Sequence, residues 1–223
     1  MAMAQIFVGL MTEGTTDDRF LDSIVERTLK KIALEECSGE IDIYFYILEK
    51  NKGSFKEQVL EVSKQGIENF GMTMLFVHVD ADNATSDNVY KTRIEPVKEA
   101  LGEQDESEYC KVLVALVPVQ EMEAWMLADK ELLKSEIVTD KSDNELKINR
   151  SPESIANPKE VIEDAIRIAR AGITKRRRRE VSISDLYRPV GQHLALEKLE
   201  KLNSYQDFKN NVREAFKELG YLH

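Results

Sequence analysis

Asp80 and Asp82 stand one residue apart at the end of an apolar run, Leu75-Phe76-Val77-His78-Val79. Two carboxylates held this close repel unless a proton or a cation lies between them. Ligation by oxygen alone favours Mg²⁺ or Mn²⁺ over zinc. Two further acid pairs follow apolar runs: Glu13 and Asp17 after residues 6–11, and Glu121 and Glu123 after residues 111–117. An acid just past a strand is often only a helix cap or a solvated loop residue, and that reading stays open for Asp17 and Glu121. It is weaker for Asp80 and Asp82, whose preceding run is so apolar. His78 falls on the same strand face as Asp80, but a lone strand histidine is more often a hydrogen-bonded core residue, so it is left outside the site. Trp125 reads as a core anchor for the helices that follow it.

These acids need a scaffold that brings them together. Residues 72–79 read as a buried strand, because the run is short, apolar and bounded by turn formers. Alternate side chains leave a strand on one face, which places Asp80 and Asp82 in one crevice. Residues 6–11, 41–48 and 111–117 read as three more strands. A helix capped by Thr15 or Thr16 carries Phe20, Leu21, Ile24, Val25 and Leu29 at helical spacing. A second helix runs from the Ser54 cap to about Phe70. A third covers residues 87–101, broken or restarted near Pro96.

Strands alternating with helices indicate parallel βαβ units. From about residue 124 the pattern turns helical, over 124–134, 158–171, from 186 or 190 to 202, and 205–219, with a loop-like stretch at 139–158. The expected fold class is α/β: a Rossmann-like parallel sheet flanked by helices, with a helical C-terminal part. The expected division is a core over residues 1–130 and a helical part over 131–223, carrying a basic run and packed on the core. Ligands of such sheets bind beyond the carboxyl ends of the strands. Strands one and three are expected to be neighbours there.

The chain has 223 residues and a net charge of -10, unevenly spread. From residue 172 onward eleven Lys and Arg outnumber seven Asp and Glu. Lys175-Arg176-Arg177-Arg178-Arg179 supplies five consecutive positive charges in that stretch. Cys37 and Cys110 are the only cysteines, in no metal-binding spacing, so no disulfide framework is expected and a reducing cytoplasm is the default. No apolar run is long enough to span a membrane. The apolar start lacks a basic leader and reads as a first strand, not a signal peptide.

Glu13-Gly14-Thr15-Thr16-Asp17-Asp18-Arg19-Phe20-Leu21, followed by Val77-His78-Val79-Asp80-Ala81-Asp82, resembles the two signatures of the Toprim (topoisomerase–primase) domain. That domain has a Glu at the end of its first strand and an Asp-x-Asp after a later one. The acid four residues after the Glu is similar to the pattern of OLD-type nucleases. Val117-Pro118-Val119-Gln120-Glu121-Met122-Glu123-Ala124-Trp125-Met126-Leu127-Ala128-Asp129 further resembles a Toprim-like bacterial family paired with ABC/AAA-type ATPases in phage-defence systems. The resemblance covers residues 5–130. It implies a Toprim-like sheet and phosphodiester chemistry on DNA or RNA. The pairing of that family implies a separate ATPase partner, and the lack here of the ATPase fused in OLD proteins leaves autonomous activity open, as it does a homo-oligomer.

In that chemistry Asp80, Asp82 and Glu13 hold one divalent cation, which polarises the phosphoryl group. A second cation, about 3.5–4 Å away, is shared through Asp17 or Glu123 and activates water. Glu13 alternatively serves as general acid or base, as the resemblance suggests. The basic run from Lys175 to Arg179 neutralises phosphates of the nucleic acid, and Lys175 is the candidate to stabilise the transition state; the plainer alternative is a solvated basic loop. Two rival functions remain. One is a haloacid-dehalogenase-like phosphotransferase, although its Asp-x-Asp belongs to the first strand. The other is a non-catalytic Toprim-like module that binds a partner ATPase.

Overall fold

The computed structural model describes residues 4–171 and 181–223. Ala4–Met11 (β1), Ile41–Ile47 (β2), Met74–His78 (β3) and Leu113–Leu116 (β4) form one parallel sheet in the order β2-β1-β3-β4. Strands one and three are therefore neighbours, with Met11 opposite Val77, and His78 is opposite Leu116 on β4. Helices cover both faces of this Rossmann-like sheet, and a helical C-terminal part follows.

β1, β3 and β4 are apolar almost throughout because both their faces are largely buried, whereas the edge strand β2 is only half-buried. Val8, Leu10, Phe76, Val114 and Leu116 look to one side, under Thr15–Glu36 (α1) and the late helices. Leu75, Val77, Leu113 and Ala115 look to the other, under Phe55–Phe70 (α2) and the helix after β3. The expected face of α1 is buried as its spacing requires, with Phe20, Leu21, Ile24, Val25 and Leu29 all in the core. Its cap differs. Gly14, not a threonine, begins the helix, and its N–H donates to Asp17 Oδ2 at 2.8 Å. Ser54 caps α2 as expected, accepting from the Glu57 N–H and donating to its carboxylate.

The third helix is continuous but changes pitch. Asp87–Val89 (α3) passes into a π-helical turn, Tyr90–Ile94, and then into Glu95–Gly102 (α4). Pro96 supplies no N–H, and its ring would crowd the carbonyl four residues back. The wider turn directly before it relieves that crowding, with the Glu95 N–H reaching the Tyr90 carbonyl.

Past β4 the chain forms Glu123–Met126 (α5) and Lys130–Glu136 (α6), two helices where one was expected. Asp129 separates them, because its side chain accepts from the Leu132 N–H and so caps α6. The stretch expected as loop holds a short α-helix, Asp143–Leu146 (α7), capped by Ser142, and a 3-10 turn, Pro152–Ser154. Then come Pro158–Ala169 (α8), Tyr187–His193 (α9), Leu196–Leu199 (α10) and Asn203–Glu218 (α11).

Three contacts hold these late helices in place. At Gly191 a side chain would meet the Phe20 carbonyl oxygen at 2.3 Å, so α9 lies directly on the α1 backbone. The start of α11 is held by Glu153, which accepts from the Asn203 and Ser204 N–H groups at 3.0 and 2.9 Å. Trp125, fully buried, donates from its indole to Ser204 Oγ at 2.8 Å. Among the described residues no helix is long and apolar enough to cross a membrane.

Candidate functional site

The acids meet at the carboxyl edge of the sheet, with Asp80 in the middle. From β1, Asp17 enters in the first turn of α1, only 8% exposed. Its Oδ2 accepts from the Gly14 N–H, and its Oδ1 from the Thr16 hydroxyl at 3.2 Å. From β3, Asp80 Oδ1 accepts from the Met122 N–H at 2.8 Å and lies 3.2 Å from His78 Nε2. From β4, Glu121 and Glu123 arrive one residue before and one after Met122. Three strand ends thus deliver acids to one place, because parallel strands all end at the same edge.

His78 is the residue that sequence reasoning passed over. It is wholly buried between two acids, with Nδ1 3.6 Å from Asp17 Oδ2 and Nε2 facing Asp80. Burial pushes its pKa down, but the Asp80 hydrogen bond and the charges of Asp80, Asp17 and Glu13 outweigh that and leave it raised. The signal was present in its position, two residues before Asp80 on the same strand face.

Burial also raises the carboxyls of Asp17, Glu121 and Glu123, and each additionally feels the charge of Asp80. The two glutamates differ in how they are satisfied. Glu123 Oε1 accepts from the Tyr187 hydroxyl at 2.5 Å. Glu121 faces the Lys159 N–H at the start of α8, yet its Oε2 is buried with no hydrogen-bond partner. No sequence pattern pointed to Tyr187, because the contact spans 64 positions.

Asp82 does not sit as alternation predicts. β3 ends at His78, and Asp82 takes a left-handed conformation (φ 49°) and is exposed. Strand alternation therefore does not place it on the face of Asp80. Its N–H donates to the Gln120 carbonyl, while the Gln120 N–H donates to Asn83, so the loops after β3 and β4 are tied together. Glu13 is also engaged elsewhere: Arg93 donates to its Oε1 at 2.8 Å, and Lys50 donates to its carbonyl oxygen at 2.7 Å. Lys175, Arg176, Arg177, Arg178 and Arg179 lie outside the described residues.

Among the described residues no group of three or more His, Cys, Asp or Glu is set to hold a metal ion. The donor chemistry nonetheless suits a hard cation. Mg²⁺ keeps several waters and takes one or two carboxylates together with substrate phosphates, so it needs no all-protein cage. The buried, unpartnered Glu121 oxygen beside Asp80 is the kind of group such an ion satisfies.

Fold and edge together define a parallel α/β protein with a cluster of acids at the carboxyl ends of its strands. Residues 12–186 match the family described as Domain of unknown function (DUF4276), and the chain belongs to that family. No curated protein and no solved structure matches the chain.

Proposed function

We propose that the chain is a Toprim-type, Mg²⁺- or Mn²⁺-dependent nuclease that hydrolyses nucleic-acid phosphodiesters in the cytoplasm. In this reading it is the effector subunit beside a separate ABC/AAA-type ATPase in a defence system. The supporting observation is the convergence on Asp80 of acids from the two neighbouring strand ends, each with its carboxyl raised by burial and in part by the Asp80 charge. Perturbed acids gathered in one crevice mark a working site more often than a structural one.

In this reading Asp80 and Glu121 would hold the cation, and Asp82, Glu13, Asp17 and Glu123 are the remaining acids of the site. Bound there, the cation supplies charge stabilisation to the phosphoryl group and lowers the pKa of water. His78 holds the Asp80 carboxylate by a hydrogen bond and adds charge attraction to Asp17, 3.6 Å from its other nitrogen. Tyr187 fixes Glu123. In the same reading the basic run Lys175 to Arg179 binds the phosphate backbone, with Lys175 the candidate for transition-state charge.

A second reading has its own support. The acids are largely satisfied internally, by His78, Tyr187, Arg93 and backbone N–H groups. That suits a non-catalytic Toprim-like module that docks a partner ATPase. One experiment separates the two: incubate the protein with plasmid DNA or RNA and Mg²⁺ or Mn²⁺, with and without the neighbouring ATPase. The nuclease reading expects cation-dependent cleavage that Asp80→Asn abolishes. Cleavage absent in every combination, or unchanged in Asp80→Asn, removes it.

A further inference from the structure

A cavity of about 380 Å³ opens beside the crevice, walled by Glu13, Lys50, Phe55, Gln58, His78 and Arg93. That size falls in the range of small-ligand pockets. Two cations from separate elements converge on one acid here. Lys50, just past β2, donates to the Glu13 carbonyl, and Arg93 donates to the Glu13 carboxylate. The Arg93 guanidinium lies over the Phe55 ring, 5.8 Å from its centre.

Stability does not account for this arrangement. The side chains of Arg93 and Glu13 are 43% and 37% exposed, and pairs so exposed contribute little to folding. Yet Arg93 is aimed with care. It projects from the π-helical turn, a rare geometry frequent at functional sites. That turn is itself anchored, because Asn211 on α11 donates to both the Tyr90 hydroxyl and the Ala115 carbonyl. A weakly held but well-positioned guanidinium next to a catalytic edge is suited to exchanging partners.

We propose that Arg93 and Lys50 form an anion subsite that takes a phosphate group of the substrate strand, adjacent to the one that reacts. Glu13 is the occupant of Arg93 while the subsite is empty, and the two compete for the guanidinium. Arg93 is a binding residue here, matched by its planar fork to phosphate oxygens. The identity of the anion rests on the phosphodiester reading, but the competition with Glu13 does not.

The test needs no cleavage and no metal. In EDTA, the affinities of inorganic phosphate, a 5′-phosphorylated thymidine dinucleotide and its unphosphorylated counterpart are measured by calorimetry. Wild type is compared with Arg93→Gln, Lys50→Gln and Glu13→Gln, each checked for an unchanged near-UV circular dichroism spectrum. Arg93→Gln should weaken the phosphorylated dinucleotide about tenfold, the loss expected for one charge-assisted hydrogen bond. Lys50→Gln should weaken it less, and Glu13→Gln should strengthen it by freeing Arg93.

Wild-type affinity in all three variants, or weaker binding in Glu13→Gln, overturns the subsite. So does binding undetectable in both wild type and Glu13→Gln. A dinucleotide that binds no tighter than inorganic phosphate overturns the assignment to a strand phosphate. Intact anion competition in a protein that cleaves nothing would remove the nuclease reading and leave the subsite standing. Cleavage with anion binding indifferent to Arg93 would do the reverse.

Discussion

Tyr187→Phe removes one oxygen and tests whether the late helices build the crevice. The hydroxyl lies 2.5 Å from Glu123 Oε1, with both residues buried. Burial and the Glu123 charge push the Tyr187 hydroxyl far above its ordinary range, so it stays a donor at every working pH. A buried hydrogen bond to a charged group is worth about 1.5–3 kcal/mol, so a loss of about 2 kcal/mol is expected near neutral pH. For a chain of this size that lowers the melting temperature by about 4–8 °C.

The sign of the pH dependence follows from Glu123. Burial raises its carboxyl, and the Tyr187 bond pulls the other way. Without that bond the folded-state pKa rises further. A carboxyl whose folded pKa exceeds its unfolded value costs nothing below the unfolded value, about 4.3, and costs most above the folded one. The Tyr187→Phe penalty should therefore be larger at about pH 8 than at about pH 5, and Glu123→Gln in the same background should flatten that difference. Urea denaturation at both pH values measures it. A penalty below about 0.5 kcal/mol, or one equal at both pH values, would refute a strong charge-assisted bond.

Two further outcomes test the scaffold. Gly191→Ala should destabilise by about 1–3 kcal/mol, since the new methyl meets the Phe20 backbone and no side chain can give way; an unchanged urea midpoint would show that α9 does not lie on α1 as described. Arg213 donates two hydrogen bonds to Glu36, each 2.8 Å, clamping α11 to α1 and holding the Glu36 carboxyl below its ordinary range. A depressed carboxyl contributes above its unfolded pKa and loses that contribution as pH falls through the folded one. Arg213→Met should thus cost about 1 kcal/mol at neutral pH and almost nothing in strong acid, and a penalty that persists in acid would point to lost packing instead.

The sheet was legible because its signals are local. Apolar runs of strand length alternate with amphipathic helices, and the acids at their ends fall on one edge whatever the details of packing. Errors arose where a local rule met a tertiary or backbone choice. Asp82 was placed by strand alternation, but β3 stops at His78 and a left-handed turn re-aims the chain. His78 was set aside as a core residue. It is indeed fully buried, but what surrounds it is carboxylate. Glu121 and Glu123 were indistinguishable by sequence, since only the distant Tyr187 and the start of α8 set them apart. Lys50 and Arg93 carried no motif at all; they meet through the adjacency of β1 with β2 on one side and β3 on the other.

The Tyr187–Glu123 contact also bears on how the molecule comes into being. Every acid of the crevice is synthesised by residue 123, while the group that settles Glu123 is added 64 residues later. The same delay applies to the cover of α1, since Gly191 meets Phe20 only once α9 exists. A growing chain emerges from the ribosome N-terminus first and folds as units become complete. The unfinished protein therefore carries the full set of carboxylates on a sheet whose α1 side is still open. Glu123 gains its Tyr187 partner, and α1 its cover, only after α9 has been made and has docked.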